Sequence, residues 1–541
     1  MQTIYTGGRV FTGSEALQQA FIVEEDRFIA VGTDEEMRSL AQPGDRFIPL
    51  QGRFVCPGFN DSHMHLLNLG NTMTQCQLSS VRSLTELQQA LRDFAAARAL
   101  TSGSWLLGRG WNQDLFTPAS GIPTRSDLDA VSTEVPICIV RCCGHCLSVN
   151  SRALTLLGLD EKTPCPVGGV IDRDASGRLS GVFRDAAMPL VQSRIPAPDR
   201  QAIKSMLLSA MQALNAVGVT SCHSDDLCCF PGVPWAEILE AYRELQAEKR
   251  MTVRVYEQCQ FTDFEGLQSF IGAGYRTGTG TEIFRIGPLK LVCDGSLGAR
   301  TALLSGEYAD APGEGGVALF SQTDLNALIS YAHMFGMQIA AHAIGDGMLD
   351  MLLSAFRKSF AMVPRKDHRS GVVHVQLTRP DQLAEMKRLN LHAYVQTVFL
   401  DYDSHIVRQR AGDALADTSY AFRTMQRLGL HVSNGTDCPV EAPDPMRGVQ
   451  CAVTRQPLDG SLPPYRAEEA MTVAQVLRSY TEEGAYASFS EGFKGRIAPG
   501  MAADFVILSE DPFAVQPGEI SHIRALQTVM SGKTVYTEGG M

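Results

Sequence analysis

Nowhere in these 541 residues is there a continuous apolar run of the roughly 18 residues that a bilayer-crossing helix needs. The opening segment, "MQTIYTGGRVFTGSEALQQAFIVEEDRFIAVG", has no basic stretch leading into an apolar run and a small-residue cleavage site, so no export signal is read there. Positive charge is also short. Lys and Arg number 47 against 59 Asp and Glu, a net charge of -12, which leaves no basic footprint for phosphates and excludes nucleic acid as an expected partner. The expectation is a cytoplasmic, globular protein that touches no membrane. Its 14 cysteines are scattered through a long chain, the pattern of reduced thiols and not of a disulfide framework. Cys143 and Cys146 form a C-x-x-C in "CCGHC", but no second pair follows at zinc-finger spacing, so free thiols are expected there.

At 44% apolar the chain can bury at least one large core. Its first fifty or so residues hold short alternating β-rich runs such as "TIYTGGRVFT" and "AFIVEEDRFIAVG", and its last fifty have the same character in "GRIAPGMAADFVIL" and "IRALQTVMSGKTVYTEG". A small β-sandwich domain built from both termini, residues 1–53 with 491–541, is the expectation. Between them, apolar strand-like runs ("GVTSCHSD", "IGPLKLVCDG", "MQIAAHAIGD", "SGVVHVQL", "HAYVQTVF", "HVSNGTDCP") alternate with helical stretches such as "DLNALISYAHMFG" and "PDQLAEMKRLN". That is the pattern of parallel βαβ units and predicts an α/β fold, a (β/α)8 TIM-like barrel over 54–490. Residues of about 75–200 fit the alternation poorly, with Pro and Gly clusters, and read as an insertion after the first barrel strand.

The strand-like runs end in metal-capable groups: His63 and His65 in "GFNDSHMHLLN", Lys290 in "LKLVCDG", His342 in "AAHAIGD", His374 in "VVHVQL" and Asp437 in "NGTDCPV". In a barrel the C-terminal strand ends meet on one face. Alternation points residues i and i+2 to the same side, so His63 and His65 can share one ion. Imidazole suits Zn, Fe, Ni or Mn, and Asp437 adds negative charge, so the set can hold one or two ions. Singly, each residue has a plainer reading: H-x-H as a surface pair, a strand-end His as a hydrogen-bonded core residue, Lys290 as a snorkelling amine, Asp437 as a turn residue. The plain readings leave the succession of strand ends unexplained. Weaker candidates for substrate contact are Trp111, Asn112, His145, His223 and Arg300, with ordinary packing or capping the equal alternative for the first three. His223 and Asp225 in "GVTSCHSDD" can also act as an outer pair or as structure, and Arg300 in a surface ion pair.

"CPGFNDSHMH", "PLKLVCDGSLGARTALL", "AAHAIGD", "VVHVQL" and "SNGTDCPVEAPDP" resemble the amidohydrolase superfamily of metal-dependent barrels, in the branch of YtcJ-like proteins and N-substituted formamide deformylases. "LLGRGWNQD", "PTRSDLDAVSTEVPICIVRCCGHCLSVNSRAL" and "GRIAPGMAADFVIL" extend the likeness over most of the chain. The resemblance implies that His63 and His65 bind a more buried metal and His342 and His374 a more exposed one. It also implies that Lys290 bridges them as a carbamate, and that Asp437 holds a metal while taking a proton from the attacking water. It implies a divalent cofactor, zinc by expectation, and hydrolysis of a non-peptide carbon-nitrogen bond in a small amide, formamide or cyclic amide. Ester or carbamate hydrolysis and deamination are the alternatives on the same metals, and a non-catalytic binding barrel is the reading of another class. A homodimer is compatible with each. The chain departs from the branch where it has Cys143, Gly144 and His145 in place of Asp-Gly-His, and Asp185 in place of a Glu.

Overall fold

The computed structural model describes every residue except 143, 144, 167, 262, 540 and 541. The chain divides into two compact units, one comprising Met1–Leu69, Ile203–Cys229 and Pro234–Met541, the other Gly70–Ala202 with Phe230–Val233.

Eight parallel strands form the centre of the first unit: β1 (Phe59–Met64), β2 (Val219–Ser224), β3 (Arg254–Gln260), β4 (Phe284–Val292), β5 (Ile339–Ala343), β6 (Gly371–His374), β7 (His392–Val395) and β8 (Val432–Asn434). They neighbour one another in chain order. Runs such as Ile339–Ala343 and Gly371–His374 are buried almost throughout, as strands of a parallel sheet covered on both faces must be. Helices separate them; Gln322–Met334 begins at Ser321, whose side chain accepts from the Asp324 N–H and so satisfies one of the free donors of the first turn. The sheet nearly closes into a barrel. Just past β8, the Asp437 N–H donates to the His63 carbonyl at 2.9 Å, and Asp61 of β1 accepts from the Thr436 N–H at 3.1 Å. Gly435 makes this approach feasible, because a Cβ there would stand 2.6 Å from both Asp61 Oδ1 and His63 N.

Two further sheets belong to this unit. The N-terminus alone forms one of four strands, Gln2–Thr6, Ala20–Glu24, Arg27–Gly32 and Arg46–Pro49; the other combines Arg9–Val10 and Phe54–Pro57 with Phe505–Leu508, Ala525–Met530 and Lys533–Thr537 from the C-terminus. Residues of both sheets, among them Tyr5, Phe21, Phe28, Val55, Phe505 and Ile507, pack into one apolar cluster, with the Tyr5 and Phe21 rings stacked at 4.6 Å.

The second unit carries its own six-stranded sheet, ordered Gly169–Arg173, Leu179–Asp185, Cys146–Val149, Ile137–Arg141, Leu106–Trp111, Cys76–Gln77, and two apolar clusters of its own. Among the described residues no helix is long and apolar enough to cross a membrane.

Candidate metal centre

At the C-terminal ends of the barrel strands, His63 and His65 meet Asp437. The Asp437 Oδ1 atom lies 3.3 Å from His63 Nε2 and 2.9 Å from His65 Nε2. Lys290, buried on β4, places its Nζ 3.3 Å from His63 Nε2 and 3.1 Å from Asp225 Oδ2. Asp225 in turn contacts His65 Nδ1. The His374 ring stands 5.7 Å from that of His63 and 4.4 Å from that of His342. Two triads, His63 with His374 and Asp437, and His63 with His65 and Asp225, each bring one ligand atom per residue within 4.8 Å of the others. His342 adjoins His374 but belongs to neither triad.

The histidines are oriented from behind. His63 Nδ1 meets Gln258 Oε1 at 2.8 Å, His374 Nδ1 meets Gln396 Oε1 at 2.6 Å, and His342 Nδ1 meets Asp294 Oδ1 at 2.8 Å. An acceptor at Nδ1 fixes the tautomer that leaves Nε2 with its lone pair, the arrangement of metal-binding imidazoles. The donor set therefore fits a divalent cation: the buried, tautomer-fixed imidazoles of His63 and His374, the half-buried His65, the carboxylates of Asp225 and Asp437, and Lys290, with His342 alongside. His374, Val375 and Asp437 have positive φ, at 79°, 49° and 58°; such backbone costs on the order of 1–3 kcal/mol per residue and concentrates at functional sites.

Electrostatics divide the histidines. Burial, reinforced by the Lys290 ammonium, holds His63 below the ordinary imidazole range, and burial beside His342 holds His374 well below it. Both are neutral and ready to donate a lone pair. Burial works against a charged His65, but the Asp225 and Asp437 carboxylates outweigh it and lift the ring to about 10. Burial likewise opposes ionisation of Asp225 and Asp437, yet His65 and Lys290 hold the first, and His63 and His65 the second, below the carboxylate range. Both therefore stay ionised. Asp61 does not reach the cluster; burial pushes it up to about 7, and it braces the barrel seam through His63 N, Thr436 N and Thr436 Oγ1.

The remaining candidates have other partners. Trp111 is wholly buried in a core cluster of the second unit. Asn112 caps a short 3-10 turn and accepts from Arg141. The exposed His145 pairs with Asp185 at 3.2 Å, while Cys143 and Gly144 lie outside the described residues; Cys146 is buried. His223 is buried inside the barrel, its ring 5.1 Å from Tyr256 and 6.4 Å from Tyr394. Arg300 is held by both oxygens of Asp310, at 3.0 and 2.9 Å. Asp225 was visible as a group just beyond a strand end; Gln258, Asp294 and Gln396 carried no comparable signal.

Residues 46–536 match the amidohydrolase family. A Bacillus subtilis (strain 168) protein named as a YtcJ amidohydrolase is 31% identical over 540 residues, 99% of each chain. The N-substituted formamide deformylase of Arthrobacter pascens is 25% identical over 546 residues, covering 98% of this chain and 97% of that one. Among solved structures, a metal-dependent hydrolase from Pyrococcus horikoshii OT3 superposes with a TM-score of 0.79 at 27% identity, over 96% of this chain and 99% of that one.

Proposed function

The chain belongs to the amidohydrolase family, and from that premise we propose that it is a metal-dependent hydrolase of a non-peptide carbon-nitrogen bond in a small amide, formamide or cyclic amide. The observation that carries the reading is the convergence of His63, His65, Lys290, His374 and Asp437 from different strand ends on one point. The kinship with a formamide deformylase supports the choice of bond. In this reading His63, His65, His342, His374 and Asp437 hold the metal, zinc by preference for imidazole and carboxylate, as one or two ions. A divalent ion bound there lowers the pKa of water toward about 7 and polarises a carbonyl.

The chain's own groups do the rest. Asp437, kept ionised between two imidazoles, accepts the proton of the attacking water at its carboxylate and returns it to the departing nitrogen. Gln258, Asp294 and Gln396 keep the imidazoles aimed while charge shifts. Lys290, buried beside His63, is proposed to carry a carbamate. One observation favours a second form of the centre: Asp225 stands 3.1 Å from Lys290, where it stabilises an unmodified ammonium and supplies a carboxylate of its own. Intact mass and isotope-labelled carbon dioxide distinguish the two. The two terminal sheets with their common apolar cluster are proposed to act as one β-sandwich domain, 1–53 with 491–541, beside a barrel domain of 54–490.

The test is metal analysis of protein purified without chelator, then hydrolysis of N-formyl and N-acyl compounds by the wild type, His63→Ala and Asp437→Asn. Both variants are expected to lose at least about 100-fold in kcat/KM, as removal of a metal ligand or proton acceptor does, while circular dichroism stays that of the wild type. Near-normal turnover by either would refute the assignment. Turnover of esters or deamination substrates but of no amide would move the chemistry to another bond.

A further inference from the structure

A cavity of about 190 Å³ opens at the strand ends that carry the metal-capable groups. Its walls are the chain segments that follow those groups. The Phe399 ring stacks on that of His374, with centroids 5.8 Å apart and 16° between planes, and Ile344, close after His342, donates its N–H to Asp294 at 3.2 Å. Gln376 and Val440 come shortly after His374 and Asp437 in the chain.

Leu297, Ile344, Phe399, Tyr402 and Val440 make the apolar part of the lining, and Tyr402 and Val440 are 61% and 65% exposed. The charged part is entirely acidic: Asp403 and Glu441 line the cavity, and no Lys, Arg or His is among the described residues that do. Gln376, 2% exposed, spends its amide N–H on Asp403 Oδ2 at 3.0 Å, and its Oε1 has no partner among the described residues. Asp403 also receives the Tyr420 hydroxyl at 2.8 Å, so the side-chain hydrogen bonds it accepts from the described residues come from neutral donors. Burial pushes it up to about 6, which leaves it ionised at neutral pH. Arg447 approaches Glu441 only to 3.7 Å and divides itself between that residue and Asp401 at 3.5 Å. The lining is thus a buried acceptor without a donor, two carboxylates without a full counter-charge, and aromatic faces. Each is relieved by a cationic donor.

We propose that this cavity binds an ammonium group of the substrate on a short apolar stem, and so positions the scissile carbon-nitrogen bond of the same molecule at the metal centre. The inference rests on the carbon-nitrogen hydrolase reading. The volume, below the roughly 300–1,000 Å³ of drug-sized pockets, favours a compact stem.

The metal-loaded enzyme is assayed with two N-formyl compounds of equal length, one ending in a primary ammonium and the other in a methyl group. The ammonium compound is expected to have the higher kcat/KM by about 10- to 100-fold, the range of a charged hydrogen bond. Asp403→Asn and Glu441→Gln should each bring that ratio toward one; the second variant is included because Asp403 also anchors Tyr420. A wild-type ratio near one, or a ratio that neither variant moves, would overturn the proposal. Calorimetric binding of the free alkylammonium, in the wild type and in Asp403→Asn, separates the two readings. Ammonium binding that weakens in Asp403→Asn supports the pocket even if neither compound is hydrolysed, an outcome that would sink the reaction class instead. No ammonium binding overturns the pocket even if both compounds turn over.

Discussion

Asp294 is where the orientation of the centre can be tested apart from its chemistry. The side chain is 1% exposed and makes four hydrogen bonds, all as acceptor. Its Oδ1 takes His342 Nδ1 at 2.8 Å and Ile344 N at 3.2 Å; its Oδ2 takes Leu303 N at 3.0 Å and Gly345 N at 2.9 Å. Asparagine has nearly the same shape but only one acceptor oxygen, so in Asp294→Asn the amide NH2 must face two N–H donors whichever way it turns. Two buried donors left unpaired cost roughly 1–3 kcal/mol each, so the variant should unfold about 2–6 kcal/mol more easily. If the amide turns toward His342, the acceptor that fixes the Nε2 lone pair is lost as well, and the loss of such an outer partner lowers metal affinity about 10- to 100-fold. Urea unfolding of the metal-free protein reads the first effect, and titration of the same protein with zinc against a chromogenic chelator reads the second. Wild-type values in both would refute the view that Asp294 holds these loops and aims His342.

Gly435→Ala should destabilise by roughly 1–3 kcal/mol or more and depress turnover, because its Cβ would press at 2.6 Å on Asp61 and His63 across the barrel seam. Gly518→Ala, with nothing within 4 Å, is the control for backbone effects, and equal unfolding midpoints for the two variants would contradict the close approach. Lys494 is 7% exposed, and burial with Arg254 nearby pulls it from the 10.5 of a free lysine to about 7 despite Asp504. Between those two pH values the unfolded chain holds the proton and the folded chain does not, so the stability of the wild type should rise with pH across that window. Lys494→Met removes the penalty and should stabilise the protein at pH 7 by on the order of a few kcal/mol, with the gain shrinking toward pH 10.5. An unfolding profile whose pH slope is the same in both proteins would count against it.

The parallel strands and most of the metal-capable groups were legible because each sits where an apolar run stops, and strands of three to nine residues announce themselves by composition. β3 was not. Its sequence, "RVYEQCQ", is too polar for a buried strand until its partners are known. Arg254 is buried against Asp504, Glu257 against the Asp226 N–H, and Gln258 against His63, at separations of 250, 31 and 195 residues. The same reason hid the orienting acceptors, since Gln258, Asp294 and Gln396 are residue types that usually face water, and only a partner far along the chain marks them as interior. Trp111 left two readings open, substrate contact or ordinary packing, and it sits in a core cluster with Leu78, Leu106 and Ile139, partners that its polar flanking sequence does not announce. What the strand ends carry is therefore the candidate metal-binding set, written locally. What the strands and loops carry to aim it, and the acidic pocket that would choose its substrate, are assembled from segments too far apart for any one stretch of sequence to show.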